Sequence, residues 1–176
     1  TRELFSGLGK DFSRLSLGCY FAELTEALTA EGEESGELLR HLLNGLYAIE
    51  NFRRPPEQLR AAFELRAMSL AGYEPLLEGC AFCGKEQREG PVLDRGSGVL
   101  RCRRCGSGGA GMPLDGDALA AARHVLYGDP KRLYGFTLGE ESLRRLSAAA
   151  EACTLAQLER GFRTLDYYKS LRGMEF

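Results

Sequence analysis

Two five-residue stretches, Cys80-Ala81-Phe82-Cys83-Gly84 and Cys102-Arg103-Arg104-Cys105-Gly106, decide how this sequence is organised. Each places two thiols three positions apart on a tight turn that a glycine follows, and 18 residues separate Cys83 from Cys102. Two thiolates at this spacing hold one tetrahedral ion at about 2.3 Å per Zn–S bond, and two such pairs complete its coordination shell. The sequence therefore predicts one structural zinc ion (Zn²⁺) bound by Cys80, Cys83, Cys102 and Cys105, with no open position for a catalytic water.

The residues between the two cysteine pairs predict a small hairpin. Residues 91–94 (Pro-Val-Leu-Asp) and 98–101 (Gly-Val-Leu-Arg) flank Arg95-Gly96-Ser97. Helical periodicity is absent from Tyr73 to about Gly111, where Gly, Cys and Pro interrupt the chain. We therefore predict a zinc-finger insert at about residues 79–106.

The sequence before the insert predicts three helices. The first carries two apolar stripes, a pattern typical of a helix buried centrally in a bundle. We expect Ser35 to cap the second helix, Pro55-Pro56 to start the third, and Gly72 to end it. The stripes of the first helix are Leu8, Phe12, Leu15, Cys19 and Ala22, and Leu17, Phe21, Leu24 and Leu28; that of the second is Leu39, Leu42, Leu43, Leu46 and Ile49.

Helical patterns resume after Pro113. Asp115 is the expected cap of the next helix, and Asp129-Pro130 predicts a further turn or short helix. Thr137-x-x-Glu140 and Thr154-x-x-Gln157 both match the capping box, although one long helix over residues 138–171 is an alternative to the second box. The predicted fold class is all-α: residues 1–176 form a single helical domain, a bundle with the zinc finger inserted after its third helix.

Composition excludes several classes of protein. No apolar tract reaches the about 18 residues that span a bilayer, and the formal charge is −2, or about −4 with zinc and four thiolates. Such a chain is not a general polyanion binder, so nucleic acid would have to contact a local patch. Cys19 and Cys153 lie in apolar helical patterns rather than in a disulfide framework, which indicates a reducing cytoplasm.

Catalytic groups are not evident in the sequence, and we predict that the protein is not an enzyme. Gly106-Ser107-Gly108-Gly109-Ala110-Gly111 has the spelling of a dinucleotide loop, but it follows a cysteine pair instead of a buried strand and leads into Met112-Pro113. His41 and His124, the two histidines, each lie within a helical pattern, where a structural role is the expectation.

Basic residues concentrate around the cysteines. From Cys80 to Gly111 six basic residues face three acidic ones. Two interpretations are open: these arginines offset the negative zinc–thiolate cluster, or they contact phosphates or carboxylates, which suit the guanidinium fork. A second basic group on the last helical segment (Arg160, Arg163, Lys169 and Arg172) is expected to be a solvated helix face. The candidate nucleic-acid-binding residues are Arg95, Arg101, Arg103 and Arg104.

The segment Gly72-Tyr73-Glu74-Pro75-Leu76-Leu77-Glu78-Gly79-Cys80-Ala81-Phe82-Cys83-Gly84 closely resembles the helix end and first knuckle of the bacterial DNA repair proteins of the RecO family. Leu15 to Leu28 is similar to that family's first long helix of the C-terminal region, and Phe63-Glu64-Leu65-Arg66 to the helix that leads into its finger. Arg163-Thr164-Leu165-Asp166-Tyr167 resembles the family's terminal motif. The resemblance extends over essentially the whole chain.

This resemblance implies a non-enzymatic recombination mediator, cytoplasmic and nucleoid-associated. Members anneal complementary strands, act with RecR, and help load RecA onto DNA coated by single-strand-binding protein. They carry an N-terminal OB-fold, and no OB-like run of short strands precedes the first helix here. We therefore expect either a C-terminal fragment, consistent with the missing initiator Met, or a protein that lacks this domain. In both cases we expect weak affinity of this chain for single-stranded and double-stranded DNA. Two alternatives remain: a zinc-finger interaction module in transcription, and a thiol redox protein.

A further partner implied by the resemblance is the acidic tail of single-strand-binding protein, which ends in an apolar residue. A hydrophobic groove rimmed by Arg or Lys would suit such a tail. Arg123, Lys131 and Arg132 are the candidate partner-binding residues, since Leu126, Tyr127 and Leu133 lie beside them in the sequence.

Overall fold

The computed structural model describes residues 5–29, 35–86, 90–106 and 111–173. Within these ranges the chain is mostly helical and also carries a small antiparallel sheet, so the predicted all-α class is too narrow. Short 3₁₀ turns occur at Leu8–Lys10 and Pro130–Arg132. The elements are α1 (Phe12–Leu28), α2 (Gly36–Asn51), α3 (Pro56–Leu70), β1 (Val92–Asp94), β2 (Val99–Arg101), β3 (Gly111–Pro113), α4 (Gly116–Tyr127), α5 (Glu140–Leu158) and α6 (Arg163–Arg172).

Helix α3 lies at the centre of the bundle. Ten of its 15 residues are buried, and it packs against α1, α2, α4 and α5. Pro56 occupies its first turn, where a missing N–H costs nothing because that group has no helical acceptor. Gly72, with φ of +89°, ends it, and the Tyr73 N–H donates to the Met68 carbonyl at 2.8 Å. The predicted start and end of this helix are confirmed.

Helix α1 is buried on one side only, so its predicted central position is wrong. Leu17, Phe21 and Leu24 are at most 1 % exposed, whereas Phe12 is 76 % exposed. Leu15, Cys19 and Ala22 also lie at the surface. The reason is that α1 packs on α2, α3 and α6 at the outside of the bundle, and a period of 3.6 shows which apolar residues share a face but not which face is covered.

Helix α2 buries a face that differs from the predicted one. Leu39 and Leu43 are exposed, and Ile49 is the one member of the predicted stripe that is fully buried. A Cβ at Gly45 would lie 2.8 Å from Phe63 Cδ2, so the glycine lets the α2 backbone approach α3 closely. The buried residues of α2 are Leu38, His41, Gly45, Ala48 and Ile49.

The helices after the insert confirm two predicted caps and contradict two. Asp115 accepts the Ala118 N–H at 2.8 Å, and Asp129 accepts the Lys131 N–H at 3.0 Å. Helix α5, however, begins after Gly139 with no side-chain cap, and Thr154 is a buried residue inside α5 and does not begin a new helix. Glu159 then ends α5 in the left-handed conformation, with φ of 52°, and α6 is a separate helix. The alternative prediction of a single helix over 138–171 is therefore also wrong.

The predicted hairpin forms and acquires a third strand. The sheet order is β2-β1-β3, with Leu93 opposite Leu100 on one side and Met112 on the other. Residues 107–110 of the glycine-rich segment lie outside the described residues, and Gly111 opens a strand where a dinucleotide loop would open a helix. Among the described residues, no helix is long and apolar enough to cross a membrane.

Candidate metal centre and its surrounding surfaces

Both cysteine turns have the same local structure. The Gly84 N–H donates to the Cys80 carbonyl at 2.9 Å, and the Gly106 N–H donates to the Cys102 carbonyl at 3.2 Å. Gly84 and Gly106 both have a φ of +69°, a left-handed conformation that a residue with a Cβ rarely adopts. Each glycine thereby closes a turn that directs two thiols to one point.

The four cysteine sulfurs converge. The Sγ atoms of Cys80, Cys83, Cys102 and Cys105 all lie within 4.8 Å of one another. Cys83 Sγ and Cys102 Sγ are 3.8 Å apart, close to the about 3.8 Å edge of a tetrahedron with Zn–S bonds of about 2.3 Å. This distance is far too long for a disulfide, and all six cysteines are free. The donor set therefore suits a tetrahedral metal ion that prefers thiolates.

Backbone donors favour the thiolate form of the two buried sulfurs. The Cys102 N–H donates to Cys80 Sγ at 3.4 Å, and this contact is the largest cause that lowers the pKa of the Cys80 thiol to about 6. The Cys105 N–H lowers the pKa of the Cys102 thiol in the same way. Hydrogen bonding to Cys102 raises the pKa of the Cys105 thiol to about 12. A bound metal ion would require Cys105 to lose its proton, so metal affinity should rise with pH.

The other two cysteines lie away from this cluster. Cys19 is exposed on α1, in contrast to the predicted apolar contact. Cys153 is buried in α5, and burial raises the pKa of its thiol to about 12. A thiol with so high a pKa is a poor nucleophile, so Cys153 behaves as a small core residue.

The four arginines predicted to bind nucleic acid lie in two separate parts of the surface. Arg101 pairs with Asp94 at 3.3 Å and lies 4.5 Å from the centre of the Phe82 ring. Arg103 and Arg104 line a cleft of about 410 Å³ beside the metal-binding cysteines. Arg95 instead lines a larger cleft of about 1000 Å³ along α5. The structure thus brings three of the four arginines to the metal centre.

The three residues predicted to bind a partner also separate. Arg123 donates from Nε and Nη2 to the Leu77 carbonyl at 2.9 and 2.7 Å, so it attaches the insert to α4. Arg132 is exposed, and its carbonyl is bonded to His124 Nε2 at 2.8 Å. Lys131 lines a cleft of about 520 Å³ between α2, α3 and the Pro130–Arg132 turn.

This 520 Å³ cleft, which we call the α2–α3 cleft, was not located from the sequence. Of the described residues that line it, Arg40, Arg66 and Lys131 are basic and Glu37 is acidic. The half-exposed rings of Tyr47 and Phe52 contribute to its wall, at 5.9 Å between centroids. The sequence does show basic residues on α2 and α3, but only the packing of the helices brings them together in one cleft.

The two histidines serve the fold. His41 is buried, stacks on Phe63 at 4.4 Å and lies 3.0 Å from its carbonyl through Nε2. Burial lowers the pKa of His41 to about 4, so it is neutral at physiological pH. His124 is half-buried, and its hydrogen bond to the Arg132 carbonyl fixes the turn after α4. These contacts are those expected of structural histidines.

Sequence reasoning missed a buried ionic cluster at the centre of the bundle. Arg60 Nη1 lies 2.9 Å from both Glu64 and Glu151, and its Nη2 donates to Ser147 at 2.6 Å. The Tyr20 hydroxyl donates to Glu64 at 2.9 Å, and burial raises the pKa of Glu64. The available signal in the sequence was the i, i+4 spacing of Arg60 and Glu64, which places opposite charges on the same face of α3.

Comparison with known proteins places this architecture in a family. Residues 9–166 match the family described as Recombination protein O C terminal. The chain is 33 % identical to a DNA repair protein RecO of Symbiobacterium thermophilum over 179 residues, covering 97 % of this chain and 69 % of that protein. It is 24 % identical to the protein of the same name from Acetivibrio thermocellus, over 96 % of this chain and 68 % of that protein. A match to the one from Anaeromyxobacter sp. strain K reaches 38 % over 66 % of this chain and 46 % of the relative. The chain therefore belongs to the RecO C-terminal family.

Proposed function

We propose that this chain is part of a non-enzymatic recombination mediator in DNA repair, and that its metal ion is one structural Zn²⁺. The observation that carries the proposal is the family match over residues 9–166, together with four converged thiols in a closed arrangement. Its curated relatives are named as DNA repair proteins. Four thiolates leave zinc no position for substrate or water, which supports a role through binding rather than chemistry.

The zinc proposal has a direct test. Elemental analysis of protein purified without added metal should find one zinc per chain, because soft thiolate donors favour zinc over magnesium or calcium. Thiol titration of the native protein should then detect Cys19 before the four metal-binding thiols, since bound thiolates react slowly. Protein that holds no metal and forms a reversible disulfide within either cysteine pair would instead support a thiol redox protein.

A recombination mediator is expected to act together with other repair proteins. We propose that the longer protein acts with RecR and single-strand-binding protein to anneal complementary strands and load RecA in the bacterial cytoplasm. An annealing assay on complementary oligonucleotides coated with single-strand-binding protein tests this role with the complete protein. Faster annealing than in its absence is expected; an equal rate, with the protein folded and loaded with zinc, would contradict it and favour the transcription module.

We further propose that the α2–α3 cleft binds the tail of single-strand-binding protein. Among the described residues that line it, three are basic, one is acidic, and others are apolar or aromatic. An acidic peptide that ends in an apolar residue could place its side chain against Leu133 and its carboxylates on Arg40 and Lys131. Of the three partner residues predicted from sequence, Lys131 is therefore the one that we retain for this cleft.

Fluorescence anisotropy with the labelled tail peptide tests the cleft. We expect micromolar affinity, about −8 kcal/mol, which weakens as salt increases. Lys131→Ala should weaken binding several-fold. Arg144→Ala is the matched control, because Arg144 is an exposed cation of α5 paired with Glu141, away from the cleft. Equal affinity of the two variants and the wild type would exclude this cleft without affecting the mediator proposal.

A further inference from the structure

The two cysteine turns present different side chains to solvent. Between its cysteines the first turn carries Ala81 and Phe82, whereas the second carries Arg103 and Arg104. Phe82 is 64 % exposed, although it lies on a turn whose backbone is fixed at both ends by hydrogen bonds. An aromatic ring is thus held at the surface directly beside a basic segment.

Arg101 covers part of the Phe82 ring and is itself held in place. Its guanidinium carbon lies 4.5 Å from the ring centre, and its Nη2 lies 3.3 Å from Asp94. Asp94 is fixed in turn, because its Oδ1 accepts the N–H groups of Gly96 and Ser97 at 3.0 Å each. The planar cation and the ring therefore form one preorganised unit, and the ring still exposes most of its surface.

Cations adjoin this unit on the side of the second cysteine turn. Arg103, Arg104 and Lys85 line the 410 Å³ cleft beside Cys83, the neighbour of Phe82. The depression on the other flank of the first turn is lined by Glu74 and Glu78 instead. A ligand that follows the basic side meets guanidinium groups and an exposed aromatic ring within a few residues of each other.

We propose that Phe82 is a stacking platform for one base of a single-stranded nucleic acid, with Arg103 and Arg104 contacting the phosphates on either side. Proteins that bind single strands without sequence preference combine a cationic groove with aromatic rings, because every base has a face that can stack. Arg101 lies over the ring and holds it in one orientation. This inference rests on the proposed role in DNA repair and adds to it a residue and a mode of contact.

Two oligonucleotides of equal length separate stacking from phosphate contact. One is oligo-dT and the other is an abasic strand with the same backbone charge, both labelled and titrated at low salt with the zinc-loaded chain. Phe82→Ala should weaken oligo-dT binding about tenfold and leave abasic binding unchanged. The double variant Arg103→Ala, Arg104→Ala should bind both oligonucleotides more weakly. Its binding should also depend less on salt, since fewer counterions are released.

Three controls distinguish stacking from a structural defect. Phe82→Trp should bind oligo-dT at least as well as the wild type, whereas Phe82→Leu should bind as weakly as Phe82→Ala. Phe12→Ala removes a ring that is 76 % exposed on α1 and should leave the affinity for both oligonucleotides unchanged. Each variant must retain one zinc ion, which shows that the first cysteine turn is intact.

Three results would overturn the inference. If Phe82→Ala binds oligo-dT within twofold of the wild type while the double arginine variant loses affinity, the finger contacts DNA without stacking and the repair role stands. Equal loss on the dT and abasic strands would show that Phe82 only supports the turn. Absence of oligo-dT binding by the zinc-loaded wild type would remove both the platform and the proposed DNA contact of this finger.

Discussion

In the described part of the insert between α3 and α4, the buried apolar residues are four leucines, two metal-binding cysteines and two prolines: Leu77, Leu93, Leu100, Leu114, Cys80, Cys102, Pro75 and Pro91. The bundle buries five aromatic rings almost completely, those of Tyr20, Phe21, Phe63, Phe162 and Tyr168. Strands of three residues and so small a core cannot hold an insert by packing alone. We therefore expect the fold of the insert to depend on a bound metal ion and that of the bundle to depend on side-chain packing.

The two regions are nevertheless joined by specific hydrogen bonds. Arg123 of α4 holds the Leu77 carbonyl, and Gln157 of α5 donates to the Gly96 carbonyl at 2.5 Å. The Tyr127 hydroxyl accepts the Leu77 N–H at 3.3 Å. These bonds orient the insert on the bundle. They are too few to replace a metal ion that contributes on the order of 10 kcal/mol in isolated zinc-binding peptides.

The largest expected effect is that of removing the metal. Cys102→Ser should abolish stoichiometric zinc binding and unfold the insert, because three ligands hold zinc far less tightly and the small core does not compensate. Hydrogen exchange should show loss of protection at Leu93 and Leu100, while the amides of α3 keep theirs. Simultaneous loss of protection in α3 would break the comparison and show that bundle and insert fold as one cooperative unit.

Phenylalanine truncations in α1 sharpen the description of the bundle. Phe21 is fully buried and stacks on Phe63 with centroids 3.7 Å apart, so Phe21→Ala should lower the free energy of unfolding by about 3–5 kcal/mol. Phe12→Ala, at a ring that is 76 % exposed, should change it by less than about 0.5 kcal/mol. Denaturant unfolding of both variants measures the difference. Equal losses would mean that another surface covers Phe12.

Acid should weaken the bundle through His41. Burial lowers its pKa from 6.5 to about 4, so the unfolded chain binds the proton more readily than the folded chain. Stability is then fully present above pH 6.5 and is lost as the pH falls toward 4, by about 2 kcal/mol between pH 7 and pH 5. His41→Gln removes the titrating group, and its unfolding free energy should depend less on pH by that amount. An unchanged pH profile in this variant would contradict the assignment.

The smallest expected effect is confined to the hairpin turn of the insert. Gly98 has a φ of +67°, and Gly98→Ala should cost about 1 kcal/mol because a Cβ strains the left-handed conformation. Gly96→Ala is the matched control in the same turn, since Gly96 has no positive φ and a Cβ there would meet Asp94 Oδ1 at 3.6 Å. Competition with a zinc chelator should show several-fold weaker binding for the first variant alone. Equal affinities would show that the turn is not coupled to the metal site.

Local features of the sequence determined much of the insert. The paired cysteines, the glycines that follow them and the Arg95-Gly96-Ser97 turn predicted the convergence of four thiols and the hairpin that lies between them. Metal ligands and turn residues act over a few positions, so their spacing is visible in the chain. The ends of α3 and the cap of α4 were predictable for the same reason.

Tertiary structure alone decided which apolar faces are covered. The sequence shows two stripes on α1, but the packing of α1 at the edge of the bundle buries Phe21 and leaves Phe12 in solvent. Packing likewise decides which face of α2 is buried, places Arg60 and Glu64 in the core, and assembles the α2–α3 cleft from separate helices. Periodicity fixes which residues lie on the same face of a helix, whereas burial depends on neighbours that are distant in sequence.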